Sequence, residues 1–306
     1  MMRRVQSPLS LKRMVFFIVA FCASSVLTII LSLVVVNFFI PLAPPPFFMR
    51  GSNNPQLKDE LIKNYHKRFE GFPFKIPPTD VSISSQGSRD RVYSLSKPFD
   101  VLRIICIGDS FTFGWGVEAE ESFPKVIERT LLKNGRRTES INLGIPGNNI
   151  LNDIEILKTK GLSFNPDAVV IEAIRDGFSV RSRNLFFVFF ALLSRGIQGL
   201  PMHVVKDNND LNGRERSKET ILISQCTDEL AQIAREKNIP ILLVLLTGGP
   251  NNSTIVAMGA SKGLVVLDLS KICTTRIISK RDQHPNAEAH RMIGEEIAAR
   301  LSLLPL

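Results

Sequence analysis

The chain has 306 residues, of which 44% are hydrophobic and 22% charged, and a net charge of +9. This composition fits a folded chain of one or two domains and excludes a disordered one. Five of the 38 basic residues (Arg3, Arg4, Lys12, Arg13 and Arg50) lie within residues 1–50, which hold no acid; the remainder has 33 basic against 29 acidic residues, an ordinary surface that does not call for nucleic acid as a partner.

From Met14 to Ile40 run 27 residues without a charge, with Asn37 the only amide. About 20 residues suffice to cross a bilayer. A cleaved signal peptide has a shorter apolar core and a small-residue exit, whereas this run ends in Asn37-Phe38-Phe39-Ile40-Pro41. Residues 14–40 are therefore predicted to be an uncleaved transmembrane anchor, preceded by a basic tail at 1–13. Four positive charges precede the span and only Arg50 follows closely. The positive-inside rule then places the N-terminus in the cytoplasm and residues 41–306 outside it, as a single-pass protein of the cell membrane. Pro41-Leu42-Ala43-Pro44-Pro45-Pro46 reads as a stiff linker. Linker and extension together cover 41–98, with a short helix expected at Leu57–Phe69 and a strand pair within 81–96.

Residues 99–306 are expected to form the main domain. Short Val-, Ile- and Leu-rich runs at 101–107, 140–143, 168–174, 240–246 and 264–268 fit strands buried on both faces. Helical patterns lie between and after them, at 120–134, 149–161, 216–237 and 286–303. Alternating strands and helices imply a parallel sheet covered on both sides, whose sites form at the C-terminal strand ends. Ser110, Gly147 and Arg175 each follow a strand and are expected on one edge. The apolar stretch Leu185–Leu193 is too short to span a membrane; it reads as a core-facing helix or as a helix on the membrane surface or lining an acyl pocket.

The run Ile104 to Ile107 breaks abruptly at Gly108-Asp109-Ser110, as a buried strand does when it ends in a tight turn with a serine at its tip. Far downstream stands Asp282-Gln283-His284-Pro285-Asn286, just before the last helix. A serine hydroxyl is a weak nucleophile and needs a base. His284 can take its proton, since the unperturbed imidazole has a pKa near 6.5, and Asp282 can fix the imidazole tautomer. Ser110 alone would read as a turn or N-cap serine, and His284 alone as a surface histidine. Both features in this order point to nucleophilic catalysis. Asn286 is a predicted N-cap, with Glu288 in the first turn. Asp109 and Asn142 are expected to support their turns. Trp115 is expected to pack under the first turn, with stacking on substrate the alternative, and His290 to be solvated or packed.

Gly108-Asp109-Ser110 with Asp282 and His284 resembles the SGNH, or GDSL, hydrolase family of esterases and lipases over most of the chain after residue 80. Asn142-Leu143-Gly144-Ile145-Pro146-Gly147 resembles its second block, where a glycine lends its N–H to the oxyanion hole. The spacing assigns this to Gly147, with Gly144 the alternative. Val170–Gly177 resembles the third block, but Arg175 stands where the family carries asparagine; Asp176 is retained. The Asp282-x-His284 spacing is one residue shorter than in many relatives and occurs in membrane-anchored ones. The resemblance implies a flavodoxin-like three-layer α/β/α sandwich with a parallel central sheet. It implies ester hydrolysis through an acyl-Ser110 intermediate, with an oxyanion hole of Ser110, Gly147 and Arg175. Arg175 alternatively grips an anionic substrate group or pairs with Asp176 or Glu172. For anchored members the family suggests acetyl or short-chain acyl esters of cell-envelope glycans or lipids. A rival reading is a catalytically weak or inactive module acting in acyl transfer or in glycan or partner binding; a spacer in an envelope assembly is a third. No cofactor is expected. No Cys-x-x-Cys or histidine cluster suggests a metal. Whether Cys226 and Cys273 pair is left open by their spacing.

Overall fold

The computed structural model describes residues 11–39, 48–57, 59–71, 76–173, 213–280 and 282–306. Arg175, Asp176, the proline-rich linker and Leu185–Leu193 lie outside them. The chain divides into two units, Met1–Phe47 and Phe48–Leu306.

In the first unit, Leu11–Phe39 is one helix of 29 residues, α1. Apolar side chains around it, from Val15 and Phe16 to Ile29 and Leu31, are exposed. Among the described residues, no helix is long and apolar enough to cross a membrane.

The second unit begins with two antiparallel pairs. Strand β1 (Met49–Gly51) pairs with β2 (Asp59–Leu61), and β3 (Tyr65–Gly71) pairs with β4 (Ile76–Ile83). The helix expected at Leu57–Phe69 is therefore not formed. Asn64, at φ 58°, breaks a helical path and turns the chain between β2 and β3. Charged side chains pair across these strands: Arg50 Nε lies 2.8 Å from Glu60 Oε1, and Arg68 Nη1 lies 3.4 Å from Asp80 Oδ1. The expected strand pair within 81–96 is also corrected. Strand β4 ends at Ile83 with its partner upstream, and residues 84–101 run without strand.

The five predicted core strands form one parallel sheet. They are β5 (Leu102–Ile107), β6 (Thr138–Asn142), β7 (Ala168–Ala173), β8 (Ile241–Leu245) and β9 (Val265–Asp268), in the order β6-β5-β7-β8-β9. The period-2 alternation of strands separates two cores. Ile105, Ile107, Val169, Ile171 and Leu243 face Ile154 and Leu157 of helix α4 (Ile150–Thr159), Ile223 and Leu230 of α5 (Gly213–Lys237) and Ile255 of α6 (Asn252–Ser261). Ile104, Cys106, Val170, Leu242 and Val244 face Ile127 and Leu131 of α3 (Phe123–Lys133), Cys273 of the short α7 (Ser270–Cys273) and Ile293 and Ile297 of α8 (Ala287–Ser302). The result is a three-layer α/β/α arrangement. The cysteines are free, and Cys226 and Cys273 belong to opposite cores, so they do not pair.

Strand order reverses between β5 and β7, the point at which an open α/β sheet forms a crevice beyond its carboxyl ends. Helix α2 (Ser110–Phe113) starts there, immediately after β5. A short hairpin, β10 (Ile277–Ser279) with β11 (Asp282–Pro285), carries the late Asp/His pair.

Candidate active site

Ser110 is the first residue of α2. Asp109 caps that helix, its Oδ1 accepting from Phe111 N–H at 2.9 Å. Glu172, near the end of β7, reaches under the turn. Its Oε2 accepts from the N–H groups of Asp109 (3.1 Å) and Thr112 (3.3 Å) and from the Thr112 hydroxyl (2.9 Å). A Cβ at residue 108 would lie 2.4 Å from that oxygen and 2.3 Å from Thr112 Oγ1, so this approach requires glycine. Asn142, ending β6, braces the same helix: its Nδ2 donates to Thr112 O at 2.8 Å.

The β10–β11 hairpin brings its two side chains to this serine. His284 Nε2 lies 2.8 Å from Ser110 Oγ, and His284 Nδ1 lies 2.5 Å from Asp282 Oδ1. With the proton on Nδ1 donated to Asp282, Nε2 is free to accept from the serine hydroxyl. Asp282 Oδ1 also accepts from the His284 backbone N–H at 3.0 Å. The second carboxyl oxygen, Oδ2, accepts from the Trp115 indole N–H at 3.3 Å. Phe111 flanks the imidazole, with ring centroids 5.3 Å apart. Asn286 caps α8 by accepting from Ala289 N–H at 3.0 Å, which fixes the chain just beyond His284.

Burial pushes the Asp282 carboxyl up, but hydrogen bonds from His284 and its charge outweigh that and hold it below the usual range. Asp282 is thus kept as an anion facing the imidazole. Burial raises Asp109 as well. Burial, reinforced by the charge of Asp109, drives Glu172 well above the ordinary carboxyl value.

The structure thus brings together three of the predicted residues: Ser110, Asp282 and His284. Of the two glycines considered for the oxyanion hole, Gly144 spends its N–H on Asn142 Oδ1 at 3.0 Å. Gly147 sits in the left-handed region at φ 80°, in open space. Among the described residues, neither its N–H nor that of Ser110, a free first-turn donor, has an acceptor. Arg175 lies outside the described residues. Among the described residues, no group of acids, histidines and cysteines is placed to hold a metal.

Two participants went unrecognised in the sequence. Glu172 carries a signal, since an acid inside Ala168-Val-Val-Ile-Glu-Ala173 must be buried and must find donors. Trp115 carries none, because its partner lies 167 residues away.

No protein-family model matches the chain, and no curated protein matches it. Several solved structures are similar in chain path. TesA matches at 18% identity and TM-score 0.46, covering 65% of this chain and 97% of its own. The lipase/acylhydrolase from Enterococcus faecalis matches at 17% and 0.44, covering 65% and 95%. The acetyl xylan esterase AlAXEase matches at 19% and 0.42, covering 66% and 100%. Likeness at this level does not transfer an activity, which must rest on the contacts of Ser110, His284 and Asp282 themselves.

Proposed function

We propose that the chain is a serine ester hydrolase of SGNH/GDSL type, anchored in the cell membrane by residues 14–40. The observation that carries the reading is the continuous contact Ser110 Oγ–His284 Nε2–Asp282 Oδ1, at 2.8 and 2.5 Å. In the proposed reaction, His284 Nε2 takes the Ser110 proton as Oγ bonds to the ester carbonyl carbon. The N–H groups of Ser110 and Gly147 receive the oxyanion, and Arg175 adds a third donor. His284 then protonates the leaving alcohol as its C–O bond breaks, leaving acyl-Ser110. A water molecule gives a proton to His284, attacks the acyl carbon and releases the acid as the proton returns to Oγ. Asp282 stabilises the imidazolium in both halves.

The resemblance of the motifs favours acetyl or short-chain esters of an extracytoplasmic glycan or lipid. Membrane anchoring is supported by the uncharged run Met14–Ile40 and by the helical backbone of Leu11–Phe39. As a helix, the 27-residue uncharged run would at ~1.5 Å per residue exceed the ~30 Å hydrocarbon layer. The basic residues before it support a cytoplasmic N-terminus.

A fluorophosphonate probe and p-nitrophenyl acetate test this reading. The parent protein is expected to be labelled and to hydrolyse the ester, and Ser110→Ala to lose both. Removing a donor such as Arg175 typically costs about 10²–10³ in rate; Arg175→Ala at the parent rate would remove it from the site. A folded parent protein that neither labels nor hydrolyses would refute the enzymatic reading.

A further inference from the structure

Asp282 is only 7% exposed, so each of its carboxyl oxygens needs a donor. Oδ1 is served by His284 twice. Oδ2 is reached by the indole of Trp115, 167 residues earlier in the chain. The hairpin carrying Asp282 is short, and its register shifts between Ile277 and Ser279. We infer that Trp115 is a positioning residue for the acid of the triad: its N–H fixes the carboxylate so that Oδ1 faces His284 Nδ1. This rests on the reading of Ser110, His284 and Asp282 as a catalytic set.

The indole has two ring neighbours. Its ring centroid lies 5.8 Å from that of His284 and 6.4 Å from that of Phe48, which stacks on Phe113 at 5.2 Å and 7°. Its backbone N–H donates to Ser110 O at 3.0 Å. The carbonyls around it are gripped by the buried guanidinium of Arg89, which donates to Phe113 O (3.2 Å), Gly114 O (2.6 Å) and Val117 O (2.8 Å). Phe48 and Arg89 both precede the sheet. The segment before β5 therefore sets where the indole stands, and the indole sets where Asp282 stands.

Trp115→Phe keeps an aromatic ring and removes the N–H. A hydrogen bond to a charged group lost at this point is expected to lower kcat for p-nitrophenyl acetate about tenfold or more with KM little changed. The rate of fluorophosphonate labelling should fall in parallel. In an Asp282→Asn background the same change should cost less than about twofold, because its effect passes through Asp282. The proton NMR resonance of the His284 Nδ1–H, which reports its contact with Asp282, should move in Trp115→Phe, and this reads positioning without turnover. Equal losses in both backgrounds, or an unmoved His284 Nδ1–H resonance in Trp115→Phe, would overturn the inference. A moved resonance in a protein whose ester hydrolysis survives Ser110→Ala would instead uphold Trp115 and refute the catalytic reading.

Discussion

His290, on the face of α8 turned toward α3, is fully buried, stacked on Phe123 with centroids 6.1 Å apart, and accepts the Phe123 N–H on Nδ1 at 3.2 Å. Its proton therefore sits on Nε2, which has no acceptor among the described residues. Burial, then the charges of Arg89 and His284, push its pKa down to about 3. The unfolded chain binds this proton near pH 6.5 and the folded one does not, so stability must fall as pH falls from about 6.5 toward 3, by up to ~1.4 kcal/mol per pH unit. Glu172 acts with the opposite sign: raised in the folded state, it contributes stability at low pH that is lost as pH rises. The two trends overlap in the parent protein, so the histidine is isolated by difference. His290→Gln preserves an acceptor for Phe123 N–H and cannot take up the proton. Urea unfolding at pH 7, 6, 5 and 4 is expected to show the parent losing stability relative to this variant with each step toward acid. A constant difference across that range would mean that His290 is not held neutral.

At the scale of elements, what was legible depended on whether a segment's neighbours in space were already implied by its pattern. Strands β5, β7 and β8 are apolar on both faces because helices cover both, and their residues state that directly. The serine turn and the Asp/His pair were legible for a similar reason: each is a local break at the end of an element. The segment before β5 was not legible. Leu57, Leu61, Ile62 and Tyr65 recur at helical spacing, and only the turn at Asn64 and pairing to strands elsewhere in the chain make them part of two hairpins. Nor does any local pattern announce Arg89-Asp90-Arg91, a surface-like tripeptide whose members reach four different elements. Arg89 binds carbonyls after α2 and Asp80 O in β4 (2.9 Å). Asp90 accepts from Asn142 N–H at 3.0 Å and pairs with buried Lys125 at 3.2 Å; Arg91 pairs with Glu128 at 2.8 Å. Such a tripeptide ties β4, the end of α2, α3 and the end of β6 to one strap. Charged hydrogen bonds of this kind contribute about 1.5–3 kcal/mol apiece and are not additive. Arg89→Met leaves four carbonyls without their donor and is expected to cost about 3–5 kcal/mol, read as a lower urea midpoint. Arg89→Lys should recover part of the loss, since an ammonium cannot span all four. A midpoint within error of the parent for Arg89→Met would show that the strap does not depend on this side chain.

Over the whole molecule, the two units differ in what their apolar surface has to cover it. Both cores lie entirely within Phe48–Leu306, and this unit closes on itself with Phe48 already inside it at 1% exposure. In α1 the pattern is inverted: Phe16, Phe17, Ile18, Val19 and Phe21 point in successive directions around the helix and are all more than half exposed. A helix apolar all round is stable only within a protein core or a lipid bilayer. The proposal of a membrane anchor therefore separates where the chain resides from what it does. The full chain is expected to sediment with membranes, to resist extraction by high salt and to be released by detergent. A chain of residues 48–306 is expected to remain in the aqueous phase and to hydrolyse p-nitrophenyl acetate within about twofold of the detergent-solubilised full chain, because every residue of the proposed site lies beyond Phe47. If the full chain stayed in the aqueous phase, residues 14–40 would not be an anchor. If the shorter chain folded but lost hydrolysis, the first unit would be part of the site.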